Sequence, residues 1–167
     1  MPSRKRSSEH KTPKKAPNRA TLEKHLIVDG YNLIHADLEL KKKLQRDGVD
    51  AVRDALGQKL SILHDYEGWR LTIVFDGRGQ ALTIERPSKV PTFSFVYSPS
   101  GISADEVIEA LVAKGAGRDD TLVCTSDSAI RIFIQANGAR WLPSEELWRW
   151  LKDAEASLTR ALKRSRA

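Results

Sequence analysis

The sequence predicts an α/β fold in which a parallel sheet is covered by helices, and three observations support this class. The chain has 167 residues, which is enough for one domain with a buried core but not for two full domains. From Leu22 onwards, short apolar runs alternate with stretches of helical periodicity. The apolar runs are nearly continuous, as is typical of parallel strands that are buried on both faces.

Five apolar runs are predicted to be strands. They are short and separated by helical stretches, which is the arrangement of strand–helix–strand units. In chain order they are His25–Asp29, Leu71–Asp76, Thr92–Tyr97, Thr121–Thr125 and Ala139–Trp141.

Helices are predicted near 33–45, 48–66, 102–116, 127–136 and 144–164. The second shows the clearest periodicity, because its apolar residues recur on one helical face: Val49, Val52, Leu56, Leu60 and Leu63. The fourth is expected to end at Asn137-Gly138, where glycine permits a left-handed exit. The last follows Pro143, with Ser144 as its predicted N-cap.

Charge is unevenly distributed along the chain. Residues 1–20 carry seven Lys or Arg against one Glu, together with three prolines, so we expect a disordered basic tail before a domain over residues 21–167. Residues 21–155 have a net charge of −4, and the four basic residues after Glu155 make the C-terminal helix basic. Basic ends suit an enzyme that attracts a polyanion, although an aid to solubility also explains such tails.

Composition excludes several classes of protein. No apolar run approaches the roughly 20 residues that cross a bilayer, so we expect no membrane-spanning segment. Cys124 is the single cysteine, which excludes an internal disulfide, a Cys-x-x-Cys redox pair and a four-thiolate zinc site. We therefore expect an intracellular, cytoplasmic protein.

Aspartates lie at or just past the carboxyl ends of three predicted strands. Asp29 and Asp76 close the first two, and Asp127 follows the fourth. Because the carboxyl ends of parallel strands share one edge of the sheet, these acids are expected to converge on one crevice. Asp105 opens the helix after the third strand, and that helix begins at the same edge.

Several carboxylates in one cleft repel one another unless a cation lies among them. An all-oxygen set of ligands favours Mg²⁺ or Mn²⁺ over zinc. Sites of this kind support metal-assisted hydrolysis of phosphodiesters. We therefore predict that Asp29, Asp76, Asp105 and Asp127 form a metal site.

Each acid also has an ordinary structural explanation. Asp29-Gly30 and Asp76-Gly77 are typical of turns, and Asp76 is a candidate to begin a hairpin into residues 81–84. Ser103 and Glu106 have the spacing of a capping box, which would make Asp105 a residue of the first helical turn. Ser126 is likewise a candidate N-cap, with Asp127 in the first turn.

Four ordered motifs resemble those of the NYN domains, a branch of the PIN-like nucleases, and specifically of the YacP-like ribonuclease family. The resemblance covers about residues 24–152. The motifs are Ile27-Val-Asp-Gly-Tyr-Asn-Leu-Ile34, Val74-Phe-Asp-Gly77, Ser103-Ala-Asp-Glu-Val-Ile-Glu109 and Val123-Cys-Thr-Ser-Asp127.

The resemblance implies a three-layer α/β/α sandwich with a mainly parallel sheet, and metal-dependent cleavage of RNA. By resemblance, the four aspartates coordinate the metal or activate water. Asn32 is a polar residue of the site that holds a carboxylate or binds the substrate, and Ser126 is a candidate to bind the substrate or to support its neighbours in the site. It also implies a bacterial cytoplasmic protein that acts on ribosome-associated mRNA.

Two further side chains are predicted to contact RNA. Tyr31 is a candidate for base stacking because it lies between Asp29 and Asn32, and Arg78 is a candidate for a phosphate contact at the mouth of the cleft. Two other functions remain open at this point. A non-catalytic RNA- or ribosome-binding module would use the same fold, and a phosphatase of the haloacid dehalogenase type would also place an aspartate after the first strand. The phosphatase needs a second carboxylate at position 31, which is Tyr.

Overall fold

A computed structural model of the chain describes residues 24–115 and 120–167. The predicted basic tail, residues 1–20, lies outside the described residues. Six strands form one sheet in the order β3-β4-β2-β1-β5-β6. In chain order they are β1 (Lys24–Asp29), β2 (Arg70–Phe75), β3 (Thr83–Glu85), β4 (Phe93–Tyr97), β5 (Asp120–Cys124) and β6 (Arg140–Leu142).

The described residues also form six α-helices and one short 3-10 turn, Ser128–Ile130. No helix in these parts of the chain combines the length and apolar character required to span a bilayer. The α-helices are α1 (Gly30–His35), α2 (Leu38–Asp47), α3 (Val49–Asp65), α4 (Ala104–Gly115), α5 (Arg131–Ala136) and α6 (Ser144–Ser165).

Helices cover both faces of the sheet, as predicted. In β1, Leu26 and Val28 point to one face and Ile27 to the other, and all three side chains are fully buried. One core lies under α1, α2, α3 and α6, and the other lies under α4 and α5. The three-layer α/β/α sandwich is thereby confirmed.

The sheet is parallel except at one edge. β1 pairs in parallel with β2 and β5, β2 with β4, and β5 with β6. The short strand β3, which was absent from the predicted strands, pairs antiparallel with β4. Because β4 lies between β2 and β3, the alternative hairpin from Asp76 into residues 81–84 is wrong.

The predicted single helix over 33–45 is two helices. α1 ends at His35, and α2 begins after Asp37, whose carboxylate accepts a hydrogen bond of 2.9 Å from the backbone N–H of Leu40. A side chain that caps a new helix satisfies one of its free N–H groups and so stabilises the break in the chain. After this break, α2 packs against both α1 and α3.

The cap at Asp37 yields a prediction about stability. Asp37→Ala should lower the free energy of unfolding by about 1 kcal/mol, because the N–H of Leu40 loses its partner. Asp37→Asn should retain most of that stability, since asparagine caps helices about as well as aspartate. Urea unfolding of the three proteins measures the effect, and equal losses in both variants would show that charge, not capping, is what Asp37 contributes.

Candidate active site

The predicted acids lie at one edge of the sheet. Asp29 ends β1, Asp76 directly follows β2, and Asp127 comes three residues after β5. These three strands are neighbours in the sheet, in the order β2-β1-β5. Asp105 lies in the first turn of α4, which follows β4 on the other side of β2.

The acids are close enough to influence one another electrostatically. Burial is the largest cause of the raised pKa of Asp29, and the negative charges of Asp76 and Asp127 raise it further. The pKa of Asp105 is raised to about 7, first by burial, then by a hydrogen bond to Asp127 and by the charges of the other acids. The four carboxyl groups therefore belong to one acidic cleft.

Asp105 and Asp127 behave as a pair that shares a proton. The pKa of Asp127 is lowered, mainly by a hydrogen bond from the backbone N–H of Ala129 and next by its hydrogen bond with Asp105. The two pKa values move in opposite directions, as expected when one carboxyl group holds the proton and donates it to the other. The raised pKa of Asp105 favours its protonated form, and the lowered pKa of Asp127 favours its carboxylate.

Backbone N–H groups at helix starts bind three of the acids. Asp29 accepts a hydrogen bond of 3.3 Å from Asn32, Asp76 one of 2.8 Å from Ala104, and Asp127 one of 2.9 Å from Ala129. These N–H groups have no partner within their own helix, and the partial positive charge there favours a carboxylate. The same bonds fix the direction of each side chain.

The capping box of Ser103 and Glu106 is confirmed, and it coexists with the acidic cleft. The N–H of Ser103 donates to Glu106 over 2.7 Å, and the N–H of Glu106 donates to the Ser103 hydroxyl over 3.2 Å. Glu106 thus points to the helix start, which leaves Asp105 free to face Asp127.

The glycines after Asp29 and Asp76 do not form left-handed turns. Neither Gly30 nor Gly77 is among the described residues with positive φ. Both are required by close packing, because a Cβ at Gly30 would overlap the ring of Phe75, and one at Gly77 would overlap the carbonyl oxygen of Ser98. The predicted turn explanation of the two Asp-Gly pairs is therefore wrong.

Asn32 connects three segments of the chain. Its Oδ1 accepts hydrogen bonds from the backbone N–H of Ser126 at 2.8 Å and from the Ser144 hydroxyl at 3.0 Å. The Ser126 hydroxyl in turn accepts from the N–H of Ser144 at 3.4 Å. Two donors on Oδ1 fix the orientation of the amide, and Asn32 lines the cleft beside Asp29.

Two serines therefore differ from their predicted capping roles. Ser144 is not an N-cap, since Pro143 occupies that position and the fully buried Ser144 hydroxyl bonds to Asn32 instead. Ser126 is not a cap either, because Asp127 caps the 3-10 turn. Sequence reasoning missed Ser144 as part of the site, since a serine after proline resembles an ordinary helix start and its partner lies 112 residues away.

The two predicted RNA-contacting side chains lie beside the acids. Tyr31 is half-buried, packs edge-on against Phe75 with ring centroids 5.2 Å apart, and accepts a hydrogen bond from Arg53 at 2.6 Å. Its hydroxyl is therefore occupied. Arg78 is exposed and lines a concave pocket that Asp76 also lines.

The acids offer oxygen ligands of the type that hard divalent cations prefer. Within residues 24–115 and 120–167, no three Asp, Glu, His or Cys side chains are arranged as ligands of one metal ion. Mg²⁺ usually keeps several water ligands and takes one or two protein carboxylates, so a complete protein cage is not required. The donor set is compatible with such an ion.

The comparisons with known proteins agree with the fold. The family model of the YacP-like NYN domain matches residues 26–167. A Bacillus subtilis (strain 168) protein described as uncharacterized protein YacP is 30% identical over 140 residues, which is 83% of this chain and 81% of that protein.

Two crystal structures are also similar. Rae1 (YacP) from Bacillus subtilis matches with a TM-score of 0.68 and 30% identity, over 84% of this chain and 80% of that one. A single-substitution variant of Rae1 matches with a TM-score of 0.70 and 29% identity, over 85% and 82% of the two chains.

Close packing at Gly77 yields a second prediction. Gly77→Ala should lower the free energy of unfolding by about 1–3 kcal/mol, because the new Cβ meets a backbone oxygen that has little room to move. Gly79→Ala is the matched control, since its Cβ has only the Ala81 carbonyl oxygen nearby, at 3.7 Å. Chemical denaturation of both variants tests this, and two equal values would contradict the close packing beside Asp76.

A third prediction concerns pH. The folded protein binds a proton at Asp105 with a pKa of about 7, against 3.8 for an ordinary aspartate, so it holds more protons than the unfolded chain between these values. Stability without divalent cations should therefore fall as pH rises through this range. Asp105→Asn removes the charge and should melt at a higher temperature than the wild type at pH 8 but not at pH 5.

Asp153→Asn is the control for this measurement, because Asp153 is exposed on α6. Thermal unfolding in a chelator at both pH values gives the comparison. If the Asp105→Asn advantage were the same at pH 5 and pH 8, the raised pKa of Asp105 would not be its cause.

Proposed function

The chain belongs to the YacP-like NYN domain family, and from this premise we propose that it is a metal-dependent endoribonuclease that hydrolyses phosphodiester bonds in RNA. The observation that carries the proposal is the acidic cleft. Four aspartates from separate segments lie at one sheet edge, where burial and the charges of neighbouring acids raise the pKa of Asp29 and of Asp105. A bound cation would offset the repulsion among these carboxylates, and it would hold a phosphodiester beside them.

Asp29, Asp76, Asp105 and Asp127 are the residues that would hold Mg²⁺ or Mn²⁺. When bound, such an ion lowers the pKa of an attacking water and stabilises charge on the phosphoryl oxygens. The chain itself orients the carboxylates. Helix-start N–H groups hold three of the carboxylates in place.

Polar side chains beside the acids would bind the RNA. Asn32 presents its Nδ2 group, because Oδ1 is occupied by the N–H of Ser126 and the hydroxyl of Ser144. Arg78, exposed beyond Asp76, would contact a phosphate. Ser126 acts through its backbone by holding Asn32.

Charge along the chain supports a nucleic acid as the partner. The two ends carry net charges of +6 (residues 1–20) and +4 (after Glu155), which would attract an RNA polyanion over a long range. Following the family resemblance, we propose ribosome-associated mRNA in the cytoplasm as the substrate.

One observation also suits the second candidate, a non-catalytic RNA- or ribosome-binding module. The basic ends would attract RNA whether or not the acids bind a metal ion. A binding module on this fold would retain the acids without cleavage. Metal-dependent turnover separates the two functions.

The fourth prediction tests catalysis at Asp29. Purified protein with Mg²⁺ or Mn²⁺ should cleave single-stranded RNA, and Asp29→Asn should lose cleavage while it remains folded. Asparagine keeps the shape of the side chain, and its oxygen still accepts from the N–H of Asn32. Only the charge is removed.

Asp120→Asn is the matched control, since Asp120 lies at the opposite, amino end of β5 and pairs with the exposed Arg140. It should cleave RNA at the wild-type rate. Wild-type cleavage by Asp29→Asn would reject the catalytic assignment, and RNA binding without any cleavage by the wild type would favour the binding module.

A further inference from the structure

A second concavity continues from the acidic cleft. It has a volume of about 710 Å³, and we call it the arginine pocket; its wall includes Tyr31, Arg53, Asp76, Arg78, Glu85 and Tyr97. Tyr31, His35 and Asp76 line both the pocket and the cleft that contains Asp29 and Asn32. A strand of RNA at the acids would therefore have the pocket directly beside it.

Arg53 is the unusual residue of this wall. Its guanidinium carbon lies 4.7 Å from the ring centroid of Tyr97, 5.2 Å from that of Phe75 and 5.7 Å from that of Tyr31. Nη2 donates a hydrogen bond of 2.6 Å to the Tyr31 hydroxyl. The side chain is only 18% exposed.

Among the described residues, Arg53 has no carboxylate within hydrogen-bond distance. Asp50 is the acid in its ion pair, with Nη1 and Oδ1 3.7 Å apart, and the Asp50 side chain is 99% exposed. Nε is buried and has no hydrogen-bond partner. The aromatic rings offset part of the cost of desolvating the guanidinium, but a largely buried charge without a carboxylate in hydrogen-bond contact is expensive for a purely structural role.

These observations indicate an anionic ligand with flat surfaces. We propose that the arginine pocket binds one nucleotide of single-stranded RNA next to the phosphodiester at the acidic cleft, with its phosphate at Arg53 and its base against the aromatic wall. The proposal rests on RNA as the substrate proposed above. Guanidinium groups bind phosphate well, and aromatic side chains and guanidinium planes both stack with bases.

The pocket favours a single strand over a duplex. A base inside a concave pocket must leave its neighbours and its pairing partner, which unstacked single-stranded RNA permits. Besides Asp76, which is shared with the acidic cleft, the wall has two acids, Asp50 and Glu85, and neither cancels the attraction of Arg53 for a phosphate. Asp50 is almost fully in water, and Glu85 is exposed and accepts a hydrogen bond of 3.1 Å from the Tyr97 hydroxyl. Water and salt screen both charges more than they screen a charge held among rings.

Binding without catalysis tests the pocket. The affinity of the full chain for a short single-stranded RNA of mixed sequence is measured in a chelator by fluorescence anisotropy, at several salt concentrations. Arg53→Gln should weaken binding about tenfold, as expected for loss of a charged hydrogen bond. It should also reduce the slope of log affinity against log salt by about 0.7, the value for one phosphate contact on a single strand.

Arg149→Gln is the charge-matched control, because Arg149 is exposed on α6 and lines neither the pocket nor the cleft. It should leave affinity and slope close to those of the wild type. Wild-type affinity of folded Arg53→Gln would overturn the proposal, and equal losses in both variants would overturn it too, since they would show only a general effect of net charge.

A second variant leaves Arg53 intact, in case its replacement prevents folding. Val49 lies on the pocket wall and is 40% exposed, so Val49→Cys can be alkylated there. The native Cys124 is buried, and burial raises the pKa of its thiol, so it should not react. RNA should slow alkylation of Val49→Cys, and a bulky adduct should weaken RNA binding about tenfold or more.

Ile132→Cys is the control for alkylation, because Ile132 is 79% exposed on α5 and lies outside the pocket. RNA should not protect it. Equal alkylation of Val49→Cys with and without RNA would overturn the proposal that RNA occupies the arginine pocket.

These outcomes separate the pocket from the proposed enzyme. If RNA occupies the pocket but is never cleaved, the pocket stands and the nuclease proposal fails. If the wild type cleaves RNA while adducts at Val49→Cys change neither binding nor cleavage, the nuclease stands and the pocket is overturned. Absence of any RNA binding would overturn both.

Discussion

Mutual repulsion among Asp29, Asp76, Asp105 and Asp127 governs how the carboxyl edge of the sheet is built. The charges of Asp76 and Asp127 raise the pKa of Asp29, and those of Asp29, Asp76 and Asp127 raise the pKa of Asp105. The protein offsets the repulsion in two ways. N–H groups at the starts of α1, α4 and the 3-10 turn donate to three of the carboxylates, and the raised pKa of Asp105 favours its uncharged form.

The bond to Asp76 shows why these contacts matter for the fold. Asp76 follows β2, but the N–H that it accepts belongs to Ala104, 28 residues later. This contact ties the end of β2 to the start of α4 and thus joins two segments that sequence order keeps apart. Close packing of Gly77 on the Ser98 carbonyl holds the same junction from the other side. The position of the carboxylate is therefore a product of packing as much as of charge.

Much of this arrangement was predictable because it follows local rules. Continuous apolar runs gave the parallel strands, and strand ends gave the shared edge of the acids. The capping box of Ser103 and Glu106 was visible from spacing alone. The prediction went wrong where a local pattern had two solutions. Asp-Gly suits both a left-handed turn and a close approach, and only the position of Phe75 or Ser98 decides between them.

Other features could not be predicted because they depend on long-range contacts. The sequence at Asp37 does not indicate a helix break, because an aspartate is as common on the exposed face of a continuous helix as at a helix cap. Ser144 has the sequence position of a helix cap, but its hydroxyl bonds to Asn32, which lies far away in the sequence. Arg53 lay within a clear helical pattern, and nothing in that pattern indicates three rings around its guanidinium.

The separation of Arg53 from the acids has a physical consequence of its own. An arginine paired with Asp29 or Asp76 would lower the pKa of that carboxyl and occupy the oxygens that a cation requires. Aromatic rings hold a cation without consuming carboxylates. By surrounding Arg53 with Tyr31, Phe75 and Tyr97, the protein keeps a positive charge beside the acidic cleft while leaving the negative charges within it unpaired. Both charges are then available to a ligand that carries phosphate and brings a metal ion, whereas a salt bridge would have cancelled them.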